Sequence, residues 1–358
     1  MNEHSMSLND FVRKNSIYNF REPISPSEYR ASAPLLQALI ETKAFRRLED
    51  VRFLGAIDYV LITSPNGSDR HVRFNRLQHS LGVASLALWY SSIAELSEKE
   101  ANVVCAAALL HDIGHSPLSH SLEPFFFDYF GLDHHAMTTN IILGTTHLGS
   151  EISDILRHFD VNVDRILAIL DKLEDSHFGF FSGPINFDTI EGITRTLRYA
   201  RTKEFLPNPI DIVEASLFRS NVVHKHKVDY FWQLKDMSYR VIINSKIGFS
   251  ADYLCQLCAR ENYKLLSRED FLASETQLFK KMPQLRRSLL SRLSDKYSRD
   301  TLRYYTKYAI RRFFINEAGD FFDRQDSDRY RQTKLPDIMP PLTAYDPNDD
   351  QLLVRLFQ

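Results

Sequence analysis

Val103-Val104-Cys105-Ala106-Ala107-Ala108-Leu109-Leu110-His111-Asp112-Ile113-Gly114-His115-Ser116-Pro117-Leu118-Ser119-His120-Ser121-Leu122-Glu123 is the stretch whose reading decides the fold. It opens as a very apolar helix: Ser97 stands at the N-cap, with Glu98 and Glu100 in the first turn. The apolar run ends abruptly on His111-Asp112, which places an imidazole and a carboxylate at the end of a buried helix. A buried carboxylate without a partner is very costly, so a metal or another cation is its expected neighbour. Imidazole plus carboxylate suits Fe, Mn, Co, Zn or Mg, depending on ligand count. Gly114 then allows a sharp turn, and Pro117 blocks simple continuation of the helix.

Working outward, helical spacing dominates. Leu35-Leu36, Leu39-Ile40, Phe45 and Leu48 recur at three and four residues. Leu77 to Leu96 reads as one helix, and helical patterns return at 134–147, 150–158, 161–173, 188–200, 210–218, 231–244, 250–264 and 284–314. Residues 58–74 break the pattern. Tyr59-Val60-Leu61-Ile62-Thr63 is β-rich, Pro65-Asn66-Gly67-Ser68 is turn chemistry, and Val72-Arg73-Phe74 can return as a second strand. The predicted class is therefore all-α, a helical bundle with a small β-hairpin at about 58–74 and a helical C-terminal region. The expected organisation is an extension (1–34), a core (35–200), a helical continuation of the same body (201–315) and a polar, proline-bearing tail (316–358).

Composition excludes several classes. The chain has 358 residues, 44 Lys+Arg against 46 Asp+Glu, 3 Cys and 12 Gly, so disorder, fibrous repeats and a disulfide-stapled secreted scaffold do not fit. Its longest apolar run, Val103 to Leu110, is far below the roughly 20 residues of a spanning helix. No membrane association and a cytoplasmic location are expected. The net charge of −2 is an average. From Phe279 to Phe314, eleven Lys and Arg face only Asp295 and Asp300, interleaved with Tyr297, Tyr304, Tyr305, Tyr308, Phe313 and Phe314. Such a stretch (280–312) can contact nucleic acid or nucleotide phosphates, or it can be a solvated helix face with its aromatics in the core.

Six of the 13 histidines, His79, His111, His115, His120, His134 and His135, fall within 79–135. The string from His111 to Glu123, together with Asn75-Arg76-Leu77-Gln78-His79-Ser80-Leu81-Gly82-Val83 and a distant Asn186-Phe187-Asp188-Thr189-Ile190-Glu191, resembles the HD-domain metal-dependent phosphohydrolases. Within them it is most similar to the deoxynucleoside triphosphate triphosphohydrolases (dGTPase-like enzymes), over roughly residues 35 to 290. The resemblance implies that His79, His111, Asp112 and Asp188 hold a divalent metal (Mn, Fe, Co, Mg or Zn) and that His115 contacts the phosphate chain. It implies that His120, oriented by Glu123, is the general acid or base, and that His134 aids the same site. Arg76 is a phosphate-clamp candidate. Three of these positions keep a second reading: Arg76 can form a surface salt bridge, Asp188 can N-cap the helix that follows it, and His134-His135 can be a polar helix-cap pair. A nucleotide substrate and a homo-oligomer are the partners implied.

The departures from the family pattern fall on the sugar side. Phe53 occupies the position of a Gln that reads the 3′-hydroxyl in the dedicated enzymes, and Glu191, Gly192, Arg195 and Thr196 replace the run that follows the distant Asp. Phe53, Gly192 and Arg195 are thus the candidate substrate-binding positions. A site that has lost hydroxyl-reading groups loses that discrimination. The leading expectation is a metal-dependent phosphohydrolase of the triphosphohydrolase type with altered sugar recognition. The alternatives are a phosphodiesterase or nucleotidase on another phosphoester, or a nucleotide- or nucleic-acid-binding regulator with a vestigial site. Cys255 and Cys258 lie in an apolar helical pattern, which reads as core packing rather than a metal or redox pair.

Overall fold

The computed structural model describes residues 34–60, 73–171, 183–199, 206–290, 310–323 and 328–335. Helical periodicity is realised as α1 (Pro34–Glu41), α2 (Lys43–Arg46), α3 (Ile57–Val60), α4 (Arg76–Ile93), α5 (Glu98–Leu110), α6 (Glu123–Phe130), α7 (His134–Ile142), α8 (Ser150–His158) and α9 (Val163–Leu170). The chain continues through α10 (Phe187–Tyr199), α11 (Pro209–Phe218), α12 (Val222–Ser238), α13 (Lys246–Glu261), α14 (Glu275–Lys281) and α15 (Pro283–Leu290). Strands β1 (Ile310–Ile315) and β2 (Tyr330–Leu335) form one antiparallel hairpin that pairs Ile310 with Leu335 and Ile315 with Tyr330. The fold is all-α, as the sequence implies, and the described hairpin lies at 310–335, whereas the sequence places one at about 58–74.

Helices α4 and α5 lie side by side at the centre. Asn75 caps α4 through a reciprocal box with Gln78. Leu81, Val83, Ala84, Leu86, Ala87 and Leu88 bury more than one face of α4, so it has no solvated stripe. Ser97 caps α5 as expected, and Glu100 of its first turn pairs with Arg165 of α9. Ala106, Ala107 and Ala108 are fully buried and allow neighbouring backbones to approach closely. Helix α10 packs on α4, which carries residue 188 to residue 79. Cys105 and Cys255 are free and buried, in keeping with a packing role.

Three expectations change. Asp58, Tyr59 and Val60 are helical, not the start of a strand, because Asp58 N–H and Tyr59 N–H bond back to Gly55 O and Ala56 O. Local β propensity loses there to a turn that buries Ile57 and Tyr59 together. Residues 61–72 of the expected hairpin lie outside the described residues, and Asn75 forms a single bridge to Arg52. Of the helical pattern at 284–314, the described part is helical as far as Leu290. Residues 291–309, most of the basic stretch, lie outside the described residues, and Ile310–Ile315 is a strand. Phe313 points inward against Trp232 while Phe314 points out, a two-residue alternation too short to separate from helical spacing in sequence. Finally, part of the expected polar tail completes the hairpin. Arg329, 1% exposed, pairs with both oxygens of Asp229 on α12 at 2.6 and 2.9 Å, and Trp232 Nε1 donates to Phe314 O. Among the described residues no helix is long and apolar enough to cross a membrane.

Candidate metal centre

Four side chains from three segments converge at the C-terminal end of α5. His79 comes from the first turns of α4, His111 caps the end of α5, Asp112 follows it, and Asp188 lies on the first turn of α10. His79 Nε2 stands 3.2 Å from His111 Nε2, 3.1 Å from Asp188 Oδ1 and 3.5 Å from Asp112 Oδ2. His111 Nε2 is 3.5 Å from Asp112 Oδ2 and 3.7 Å from Asp188 Oδ1. The second reading of Asp188, a helix cap, does not hold: Asn186 Oδ1 accepts Thr189 N–H instead and leaves Asp188 to the histidines.

The outer nitrogens fix the chemistry of the inner ones. His111 Nδ1 lies 2.8 Å from Ala108 O, and His79 Nδ1 lies 2.5 Å from Glu191 Oε2. A carbonyl and a carboxylate only accept, so both Nδ1 atoms donate and both Nε2 lone pairs face inward. Two imidazole acceptors and an Asp112 oxygen lie close enough together to fit a cation, and Asp188 Oδ1 stands beside both histidines. Asp112, Asp188 and Glu191 also outnumber the two guanidiniums in contact with the group, Arg76 on Asp112 and Arg195 on Glu191.

A second cluster adjoins the first. His115 stacks on His134 with centroids 4.3 Å apart, and His120 meets the His115 ring edge-on at 4.7 Å. Glu123 binds both outer rings: Oε2 lies 2.9 Å from His120 Nδ1, and Oε1 accepts from His134 Nδ1 and from His134 N. Burial alone would raise the Glu123 carboxyl, but hydrogen bonds from His120 and His134 outweigh it and hold the group far below the usual range. His115 Nε2, buried, lies 3.2 Å from Asp112 Oδ1 and so joins the two clusters. Asp133 caps α7, so His134 is not needed as a cap. Gly114 permits this approach: a Cβ there would stand 2.3 Å from Thr138 N and 2.4 Å from His134 O.

The expected substrate positions divide. The Phe53 ring lies 4.9 Å from the His79 ring, and the Arg76 guanidinium is 5.2 Å from the Phe53 centroid. Gly192 borders the same point, since a Cβ on it would meet His79 Cε1 and Phe53 Cζ at 3.7 Å. Arg76 donates to Asp112 Oδ2 at 2.6 Å and to Ser119 Oγ at 3.0 Å. Arg195 is buried behind the centre, where it grips both oxygens of Glu191, donates to Gln78 O and covers the Phe74 ring.

Residues 76–175 match the family model described as HD domain. The chain carries an HD domain. Over 170 residues it is 32% identical to the uncharacterized protein YwfO of Bacillus subtilis, a match covering 46% of this chain and 36% of that protein. It is 38% identical over 100 residues to deoxynucleoside triphosphate triphosphohydrolase SAMHD1 of Homo sapiens, covering 26% of this chain and 15% of that enzyme. The uncharacterized protein MJ1154 of Methanocaldococcus jannaschii is 39% identical over 85 residues, 24% of this chain and 16% of that protein. The chain thus matches at most 36% of the length of these relatives. HD domains bind divalent metals, and His79, His111 and Asp112 form a group that fits one.

The HD-domain match ends before two residues that complete the centre. One is Asp188. The other is Glu191, which sequence reading assigns to the altered sugar side and which the structure turns onto His79 Nδ1. Its signal is present in the sequence: Asp188, Glu191 and Arg195 recur at three and four residues and share one face of α10. Gly82 makes room for it, since a Cβ there would stand 2.3 Å from Glu191 Oε1.

A pH prediction follows from His79. Burial alone would lower its pKa, but Glu191, then Asp188 and Asp112, push it up to about 9. A base whose folded pKa is raised contributes stability that is complete below its unfolded value and is lost as pH rises through the folded one. Chelated protein is therefore expected to lose stability between pH 6.5 and about 9, on the order of 3 kcal/mol from this group. Added Mn should flatten that slope in thermal melts, because a cation replaces the proton. A slope unchanged by Mn would count against the assignment.

Proposed function

We propose that this chain is a metal-dependent phosphohydrolase acting on a nucleotide, of the kind that releases nucleoside and tripolyphosphate from a deoxynucleoside triphosphate, with altered sugar recognition. The observation that carries the reading is the adjacency of the two clusters: Asp112 Oδ2 faces the His79–His111 group while its Oδ1 lies 3.2 Å from His115 Nε2 of the histidine triad. The likeness to an enzyme named as a triphosphohydrolase supports the nucleotide class.

A divalent ion held by His79, His111, Asp112 and Asp188 supplies Lewis acidity toward phosphate oxygens. The protein's own groups do the rest. Glu123 takes the Nδ1–H of His120, so His120 presents Nε2 to the scissile phosphoester and can carry a proton to or from its bridging oxygen. His115 and His134 pack against that ring and fix its plane. Arg76, anchored by Ser119, places a guanidinium beside the same carboxylate and is a phosphate contact.

On the sugar side Phe53 and Gly192 offer no hydrogen-bonding side chain near His79. A site built to read a hydroxyl rejects the analogue lacking it by about 10⁴–10⁵ in kcat/KM. Here a deoxynucleotide and its 3′-deoxy analogue are expected to differ by less than about tenfold. The test is metal analysis of the purified protein, followed by a nucleotide panel with Mn, Mg, Co or Fe and chromatographic product analysis. Nucleoside plus tripolyphosphate supports the reading, and a monophosphate or opened ring assigns a phosphodiesterase instead. No product from any nucleotide overturns both. Strong rejection of the 3′-deoxy analogue would refute the altered sugar site alone.

A further inference from the structure

Glu275 lies outside the HD-domain match and far from the metal group in sequence, yet it is 1% exposed and bonded to both segments that floor the site. It is the first residue of α14, where Ser274 and Gln277 already supply a reciprocal capping box, so its carboxylate is not used for capping. Oε1 accepts Arg52 N–H at 2.6 Å and Leu118 N–H at 3.1 Å, and Oε2 accepts the Tyr59 hydroxyl. A buried carboxylate is tolerated when its lone pairs are satisfied in this way.

Those two backbone segments are unusual. Leu118 and Ser119 have φ of 59° and 47°, two consecutive non-glycine residues in the left-handed region. A residue with a Cβ is strained in that region and persists there only where its surroundings impose it. Leu118 N–H is held by Glu275, Ser119 Oγ donates to Arg52 O at 2.8 Å, and the same Oγ accepts Arg76 Nε. Gly55 closes the other side, where a Cβ would stand 2.2 Å from Leu118 O. His120 follows the turn directly. Arg47 braces the same neighbourhood by donating to Ile113 O and Ala273 O, and Thr276 N–H is taken by Asp50.

We propose that Glu275 is a positioning residue: by spanning Arg52 N–H and Leu118 N–H it holds the left-handed turn that aims His120 and seats Ser119 under Arg76. Its kinetic consequence rests on the phosphohydrolase reading, whereas its structural consequence does not. Reach, not charge alone, is what the geometry requires. Gln at 275 can still span both N–H groups with Oε1 and donate to Tyr59 Oη with its amide. Asp keeps the charge but is one methylene too short to span them.

The test compares Glu275→Gln, Glu275→Asp and Glu275→Ala in the full chain, reading metal content and the imidazole ¹⁵N shifts of His120 (assigned with His120→Asn) in the zinc-loaded protein, and kcat and KM with whichever metal of the nucleotide panel supports turnover. Glu275→Gln is expected to keep the native His120 shifts and kcat within about threefold. Glu275→Asp should bind metal normally, move the His120 signals and lower kcat at least about tenfold with KM little changed; Glu275→Ala should lose about a hundredfold. If Glu275→Ala does not fold, the Gln and Asp variants decide alone. Native His120 signals and kcat in Glu275→Asp, or displaced ones in Glu275→Gln, overturn the proposal. If the unaltered chain hydrolyses no phosphoester, the phosphohydrolase reading fails while the His120 shifts still decide the role of Glu275.

Discussion

Asp112→Asn is expected to abolish metal retention and to lower any phosphohydrolase rate at least about a thousandfold. The substitution keeps shape and removes charge at the point where the most contacts meet. Asp112 Oδ2 is 3.5 Å from both inward-facing Nε2 atoms and 2.6 Å from Arg76 Nη1, and Oδ1 is 3.2 Å from His115. An amide there offers one oxygen instead of two and no charge. Arg76, 6% exposed, is then left without its counter-ion, a loss of about 3–5 kcal/mol in buried pairs. The two effects separate in a cycle with Arg76→Gln. The double variant should recover much of the stability, since neither charge remains buried alone, but none of the metal. Full metal occupancy in Asp112→Asn would remove Asp112 from the centre.

Glu191→Ala is expected to cost about 3–5 kcal/mol in urea unfolding and to weaken metal binding about 10–100-fold. Glu191 and Arg195 are 3% and 2% exposed, so deleting the acid strands a guanidinium in the interior. It also removes the acceptor that fixes the His79 tautomer, which frees the ring to turn its lone pair away. The pH dependence has a definite sign. Burial would raise the Glu191 carboxyl, but Arg195 and then His79 hold it below its ordinary value of 4.5. Its contribution is therefore present above pH 4.5 and is lost as pH falls through the depressed folded value. The unaltered chain and Glu191→Gln should differ most near neutrality and converge in acid. A constant gap down to pH 2 would show that packing, not charge, sets the difference.

The parts of the fold and site legible in sequence are the local ones. Ser97 announces a helix start because a cap is a short-range hydrogen bond, and it is a cap in the structure. His111 and Asp112 are conspicuous because titratable groups end the most apolar helix. Tyr59 misleads for the opposite reason: its β propensity is local, whereas its place is set by Glu275 more than two hundred residues later. The Ile310–Ile315 strand is hidden similarly, since only the packing of Phe313 on Trp232 and the return of Tyr330–Leu335 distinguish it from a basic helix. Arg195 looks like a ligand-facing cation in one dimension and is a buried clamp in three. Its partner Glu191 could have been inferred from four-residue spacing on α10, but its target, His79, could not.

The dispersal of the site along the chain bears on how it is made. The HD match closes at residue 175, but the fourth candidate ligand is at 188, the clamp on His79 at 191 and the brace under the His120 turn at 275. Such long-range contacts form late, because the entropy of closing large loops is met before they reward it. A chain still emerging during synthesis exposes His79, His111 and Asp112 well before Asp188 and Glu275 arrive. On the proposed ligand set a complete centre needs the helices beyond residue 175, and a chain truncated before residue 188 is expected to bind a divalent metal more weakly than the full chain in equilibrium dialysis.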